Sequence, residues 1–124
     1  NDVVIVSACR TAIGTFGGAL AQDIARSDRA WLDEADAMVA EVSAPSLGVG
    51  YEIAYALHVR RIPVLALHHG SVQRISAMIG GNASPLLQIL SYDSSEQLLQ
   101  KADHFIQALV IGAHLETEQG VALV

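Results

Sequence analysis

Short runs of aliphatic residues alternate along the chain with longer stretches in which apolar positions recur every three or four residues. The run from Val3 to Ala8 predicts a buried strand, and Gly14, Gly17 and Gly18 then mark a loop. From about Gln22 to Ala35 the apolar positions Ile24, Trp31, Leu32 and Ala35 stand apart from Arg26, Arg29 and Asp33, which is helical spacing. Ala37 to Val42 predicts a second strand, Ser43 to Gly48 the loop after it, and Tyr51 to Arg61 a helix that ends before Pro63. Pro63 to His68 predicts a third strand and Val72 to Ile79 a short helix closed by Gly80 and Gly81. Leu86 to Tyr92 predicts a fourth strand. Ser94 or Ser95, followed by Glu96 and Gln97, predicts the start of a helix running to about Val110. Residues 111–124 follow no clear period.

Strands alternating with helices predict an α/β fold, an open parallel sheet flanked by helices of the Rossmann-like or flavodoxin-like kind. The length of 124 residues predicts a single domain over 1–124, with 1–21 as an atypical strand and loop and 111–124 as an unassigned tail. Apolar residues make up 52% of the chain and charged residues 16%, which excludes a disordered protein. No uncharged apolar stretch approaches the ~20 residues that span a bilayer, so no membrane partner is expected. Seven basic against 13 acidic residues leave a net charge of −6, the wrong sign for a nucleic-acid polymer. A small phosphorylated ligand remains compatible, because helix N-termini and hydroxyls bind phosphate without net positive charge. Cys9 is the single cysteine, which excludes an internal disulfide and fits a reducing, cytoplasmic location. The N-terminus has no basic region and does not read as a signal peptide.

In such sheets ligands bind beyond the carboxyl ends of the strands, which directs attention to the loop from Glu41 to Glu52. Gly48 and Gly50 let backbone N–H groups approach a ligand, and Ser46 adds a hydroxyl beside the positive end of the following helix. The same Gly-x-Gly also serves as a plain structural turn. Glu52 reads either as a carboxylate set against the helix dipole or as a reacting group. Asp28 shares a helical face with Ile24, Trp31 and Ala35, so it needs a hydrogen-bond partner or a raised pKa. It reads either as bonded to a loop backbone or as a proton donor at the crevice. Two carboxylates near one crevice suggest glycoside chemistry. His68 and His69 lack an acidic or cysteine partner at metal-binding spacing and read as a strand-end pair, so no metal or cofactor is expected. His58, His104 and His114 read as structural, and Cys9 as a small core thiol. The apolar face of Ser76-Ala77-Met78-Ile79 suits core packing or a subunit contact.

The run from Trp31 to Val42, then Pro45-Ser46-Leu47-Gly48-Val49-Gly50-Tyr51-Glu52, then Ser76-Ala77-Met78-Ile79, closely resembles the 2′-deoxynucleoside 5′-monophosphate N-hydrolases of the nucleoside 2-deoxyribosyltransferase superfamily. The resemblance covers about residues 22–110. It implies cleavage of the N-glycosidic bond of a deoxynucleoside monophosphate, giving free base and 2-deoxyribose 5-phosphate. Glu52 falls on the nucleophile that attacks C1′, Asp28 on the carboxyl group that assists departure of the base, and Ser46 on a 5′-phosphate contact. Ser76 and Met78 fall on residues that reach the neighbouring subunit's site, implying a homodimer with shared active sites. Two other readings are a non-catalytic nucleotide-binding module and a deoxyribosyltransferase; the hydroxyl of Ser46, where the transferases carry a carboxylate, speaks against the latter.

Residues 2–18 instead resemble the opening of a bacterial acetyl-CoA acetyltransferase (thiolase), without any catalytic residue of that family. The chain is also short for the hydrolase family by roughly one βαβ unit, ~30 residues.

Overall fold

The computed structural model describes the backbone of residues 3–8, 19–113 and 119–123, and the side chains of residues 23, 26, 27 and 29–111. The elements in order are β1 (Val3–Ala8), α1 (Ala19–Glu34), β2 (Ala37–Glu41), α2 (Leu47–Ala54) continued by a π-helical segment (Tyr55–Arg60), β3 (Val64–His69), α3 (Ala77–Gly80), β4 (Leu87–Tyr92), α4 (Ser95–Ala113) and β5 (Gln119–Leu123). The strands form one five-stranded sheet in the order β1-β5-β2-β3-β4, every neighbouring pair parallel. The expected open parallel α/β fold is therefore present.

Alternation along the central strands builds a core on each face, because successive strand side chains point to opposite sides. Met38 and Ala40 of β2 and Val64 and Ala66 of β3 pack with Leu32 and Ala35 at the end of α1, Ile53 of α2, and Ala56 and Leu57 of the π-helical segment. The intervening Ala37, Val39, Leu65 and Leu67 pack against Leu98, Ala102, Phe105, Ile106 and Leu109, one stripe of α4. Small and aliphatic side chains suffice because β2 and β3 are covered on both sides.

Several boundaries depart from the pattern-based expectation. Helix α2 starts at Leu47, not near Tyr51, because Ser46 caps it: the Ser46 hydroxyl accepts the Val49 N–H at 3.3 Å. The expected helix over Val72–Ile79 is reduced to Ala77–Gly80. Trp31, expected on the inward face of α1, is 36% exposed, and the buried face runs through Leu32 and Ala35 instead. The unassigned tail supplies β5, which pairs on one side with β1 and on the other with β2. Five residues with little periodicity become a strand only because both flanking strands offer free backbone groups.

Helix ends are closed by contacts from elsewhere in the fold. Arg60 donates from Nε to the Leu32 carbonyl at 3.0 Å and from Nη2 to the Ala35 carbonyl at 2.8 Å, satisfying acceptors at the end of α1. Arg61 adopts a left-handed conformation (φ 55°, ψ 47°), and the Ile62 N–H returns to the Ala56 carbonyl at 3.0 Å. That is the closing turn usually built with glycine, and it delivers the chain to Pro63 and β3.

Candidate active site

The carboxyl ends of β2, β3 and β4 lie side by side, with Glu41 opposite Leu67 and His69 opposite Tyr92. The Val42 N–H still bonds the Leu67 carbonyl at 2.8 Å, extending the β2–β3 ladder by one residue. Beyond it the chain leaves the sheet, passes Pro45 and reaches the cap residue Ser46, whose carbonyl accepts the Gly50 N–H at 3.0 Å. Polar Ser43 and Ser46 bracketing a proline suit such an exit, since proline cannot continue the ladder and serine caps the next helix.

A groove of about 560 Å³ opens between this loop with α2 on one side and the segment leading into α3 on the other. Of the residues singled out in the sequence, Ser46, Gly50, Ser76 and Met78 line it together. Among the described residues its lining contains no Asp or Glu but includes Arg74, which makes no ion pair there. The guanidinium of Arg74 and the N-terminus of α2 both border this groove, an arrangement that favours an anion.

Gly48 and Glu52 are not part of that lining. Glu52 is 3% exposed, the one buried charged side chain among the described residues. Because α2 begins at Leu47, Glu52 stands in its second turn rather than its first. A dipole effect confined to the first turn therefore does not account for its position. Asp28 lies on α1, but its side chain falls outside the described residues, so its relation to Glu52 is not described.

The groove also contains His58, which reads as structural in the sequence, and Asn82 and Arg74, which sequence reading passed over. His58 and Asn82 line it, with Asn82 Nδ2 3.4 Å from His58 Nε2, and Arg74 adds the positive charge. The signal for His58 was its spacing from Gly50 and Ala54, one helical face that the groove uses. For Arg74 no local pattern points to the groove.

Beside the groove, His68 and His69 enter a hydrogen-bonded strand-end network. His69 Nδ1 lies 2.7 Å from Ser71 Oγ, and the His69 ring packs edge-on to Tyr92 with centroids 5.5 Å apart. Among the described residues no group of three His, Cys, Asp or Glu is placed to hold a metal ion. None of the described helices is long and apolar enough to cross a membrane.

Comparison with known proteins gives the site a chemical context. No family model matches the chain. A Methanosarcina mazei protein named "Putative 2'-deoxynucleoside 5'-phosphate N-hydrolase 1" is 47% identical over 88 residues, covering 71% of this chain and 53% of that protein. A protein of the same name from Syntrophotalea carbinolica is 54% identical over 57% of this chain and 49% of its own length. The 5-hydroxymethyl-dUMP N-hydrolase of Danio rerio is 40% identical over 60% of this chain and 54% of its own. The chain spans about half the length of the curated relatives it matches. None of these relatives is a thiolase, so the likeness of residues 2–18 finds no support here. Over 71% of its length the chain is a sequence relative of the 2′-deoxynucleoside 5′-phosphate N-hydrolases.

Proposed function

We propose that this chain carries the N-glycosidase chemistry of its relatives, releasing free base and 2-deoxyribose 5-phosphate from 2′-deoxynucleoside 5′-monophosphates. The observation that carries this reading is the 47% identity over 88 residues. A stretch that long in a chain of 124 residues takes in the middle of the chain, and with it the string Pro45 to Glu52 and Ser76.

In this reading the 5′-phosphate sits at the N-terminus of α2, against Ser46 and Gly50 of the groove lining, with Arg74 supplying positive charge from across the groove. Fixing the phosphate fixes the sugar, so attack on C1′ becomes effectively intramolecular. The Glu52 carboxylate forms a bond to C1′ as the C1′–N bond breaks, and Asp28 delivers a proton to the departing base. Water then attacks C1′ of the ester, gives its proton to Asp28, and frees Glu52 and the sugar phosphate. Every step uses carboxyl groups and water, with no metal or cofactor.

The proposal extends to a homodimer with shared active sites in the cytoplasm, in which Ser76 and Met78 contact the neighbouring subunit's substrate. Met78 is 84% exposed, Leu47 97% and Tyr51 59%, apolar surface that a second copy would cover. Light scattering should give twice the chain mass.

The deciding experiment measures base release from deoxynucleoside monophosphates by the wild type and by Glu52→Gln. The wild type should release base, and the variant should lose roughly 10³-fold or more of its turnover while still binding substrate. Full turnover by Glu52→Gln would overturn the mechanism. Binding without release by the wild type would leave a nucleotide-binding module, and base exchange on unphosphorylated nucleosides would mark a transferase.

A further inference from the structure

Where β2 ends, a side chain takes over from the backbone. In a parallel ladder the His69 N–H would continue the pattern set by Val42 and Leu67 with a main-chain acceptor on the β2 side. Instead it donates to Ser43 Oγ at 2.8 Å. Ser43 Oγ in turn donates to Glu41 Oε1, and the Ser43 N–H reaches the same oxygen at 3.1 Å. The Tyr92 hydroxyl donates to it as well, at 3.3 Å. One carboxylate oxygen thus gathers donors from the loop and from the end of β4, while Ser43 binds the end of β3.

This arrangement decides how the chain leaves the sheet. Replacing a main-chain acceptor with Ser43 Oγ lets the backbone turn away at residue 43 without orphaning the His69 N–H. Three residues later stands Ser46, the cap of α2 and a wall of the groove. Glu41 is exposed and contributes nothing to either core, so burial does not explain its position. The geometry points to Glu41 as a positioning residue that acts through Ser43 to hold the Ser43–Ser46 loop, and thereby the phosphate contacts of α2, in the binding orientation. The inference rests on the phosphate-binding reading of the groove.

A carboxylate accepts such bonds about twice as strongly as a neutral amide. Glu41→Gln should therefore raise Kd and KM for 2′-deoxyuridine 5′-monophosphate about three- to tenfold, with kcat within about twofold and Kd for 2′-deoxyuridine unchanged. Ser43→Ala should act in the same direction, and Tyr92→Phe more weakly, since it removes one of the three donors. Calorimetry with both compounds, alongside base-release kinetics, separates the outcomes. Unchanged monophosphate affinity in Glu41→Gln and Ser43→Ala, or an equal loss for nucleoside and monophosphate, overturns the positioning role. A fall in kcat at constant KM overturns it too. Tighter monophosphate than nucleoside binding without base release sinks the hydrolase reading alone, because the affinity ratios still decide the role of Glu41. No preference of the wild type for the monophosphate sinks both.

Discussion

Ser46 and Glu52 stand on one short helix in opposite surroundings: the Ser46 hydroxyl caps the helix at the groove, whereas Glu52, in the second turn, is 3% exposed. The cap therefore links stability to ligand contact. Ser46→Ala should cost about 1 kcal/mol in urea denaturation, the usual value of a lost N-cap. It should also raise KM for a deoxynucleoside monophosphate while sparing the nucleoside. Equal effects on both substrates would assign Ser46 to the fold alone.

Arg60 closes the end of α1 from a different helix, bonding the Leu32 and Ala35 carbonyls and lying 3.9 Å from Asp33 Oδ1. Arg60→Ala should destabilise by about 1–3 kcal/mol, since two acceptors lose charged donors. Lysine at this position should recover less than half, because a single ammonium does not reproduce the guanidinium fork. Chemical denaturation of both variants checks this. Equal stability of Arg60→Lys and wild type would show that charge alone matters.

Arg61 holds a left-handed conformation at a turn that glycine adopts without a Cβ clash. Arg61→Gly should therefore stabilise the chain by roughly 0.5–1 kcal/mol, net of the greater freedom of glycine in the unfolded state. A thermal melt reads this directly. A lowered midpoint would mean that the Arg61 side chain contributes more than its backbone costs.

The Tyr55 hydroxyl donates to Asp33 Oδ1 at 2.5 Å, and this hydrogen bond is the main cause that raises the Tyr55 pKa above its ordinary value. A raised pKa in the folded state means the protonated phenol is favoured there. Its contribution is complete below the unfolded pKa, near 10, and disappears as pH rises through the folded value. The stability difference between wild type and Tyr55→Phe should therefore be constant at neutral pH and shrink above pH ~10. A difference that grows at alkaline pH would contradict it.

Much of this was legible in local sequence. The unbroken apolar runs of β2 and β3, alternating with helical stretches such as the apolar stripe of α4, announce a parallel sheet covered on both faces, because a strand whose side chains all meet packed helices carries no polar face. The string Pro45 to Glu52 is legible for a different reason: residue types and spacing leave a plain turn open, and its resemblance to the hydrolase family is what points to chemistry. Boundaries were less legible. Helix α2 starts early because a side chain satisfies its first N–H groups, and Trp31 turns outward because Leu32 and Ala35 already fill the space over β2 and β3.

The sequence by itself determined the fold class, the strands β2 and β3 and the identity of Ser46 and Glu52 as candidates, since each depends on an apolar run or on a contiguous motif; the burial expected for Val3–Ala8 lies outside the described residues. Only the tertiary structure decided that Arg74, His58 and Asn82 share a groove with Ser46, that Gln119–Leu123 is inserted between β1 and β2, and that Glu41 collects Ser43 and Tyr92. Apart from the Glu41–Ser43 contact, those relations join residues far apart in the chain. They arise from strand pairing and helix packing, which no local window of sequence contains.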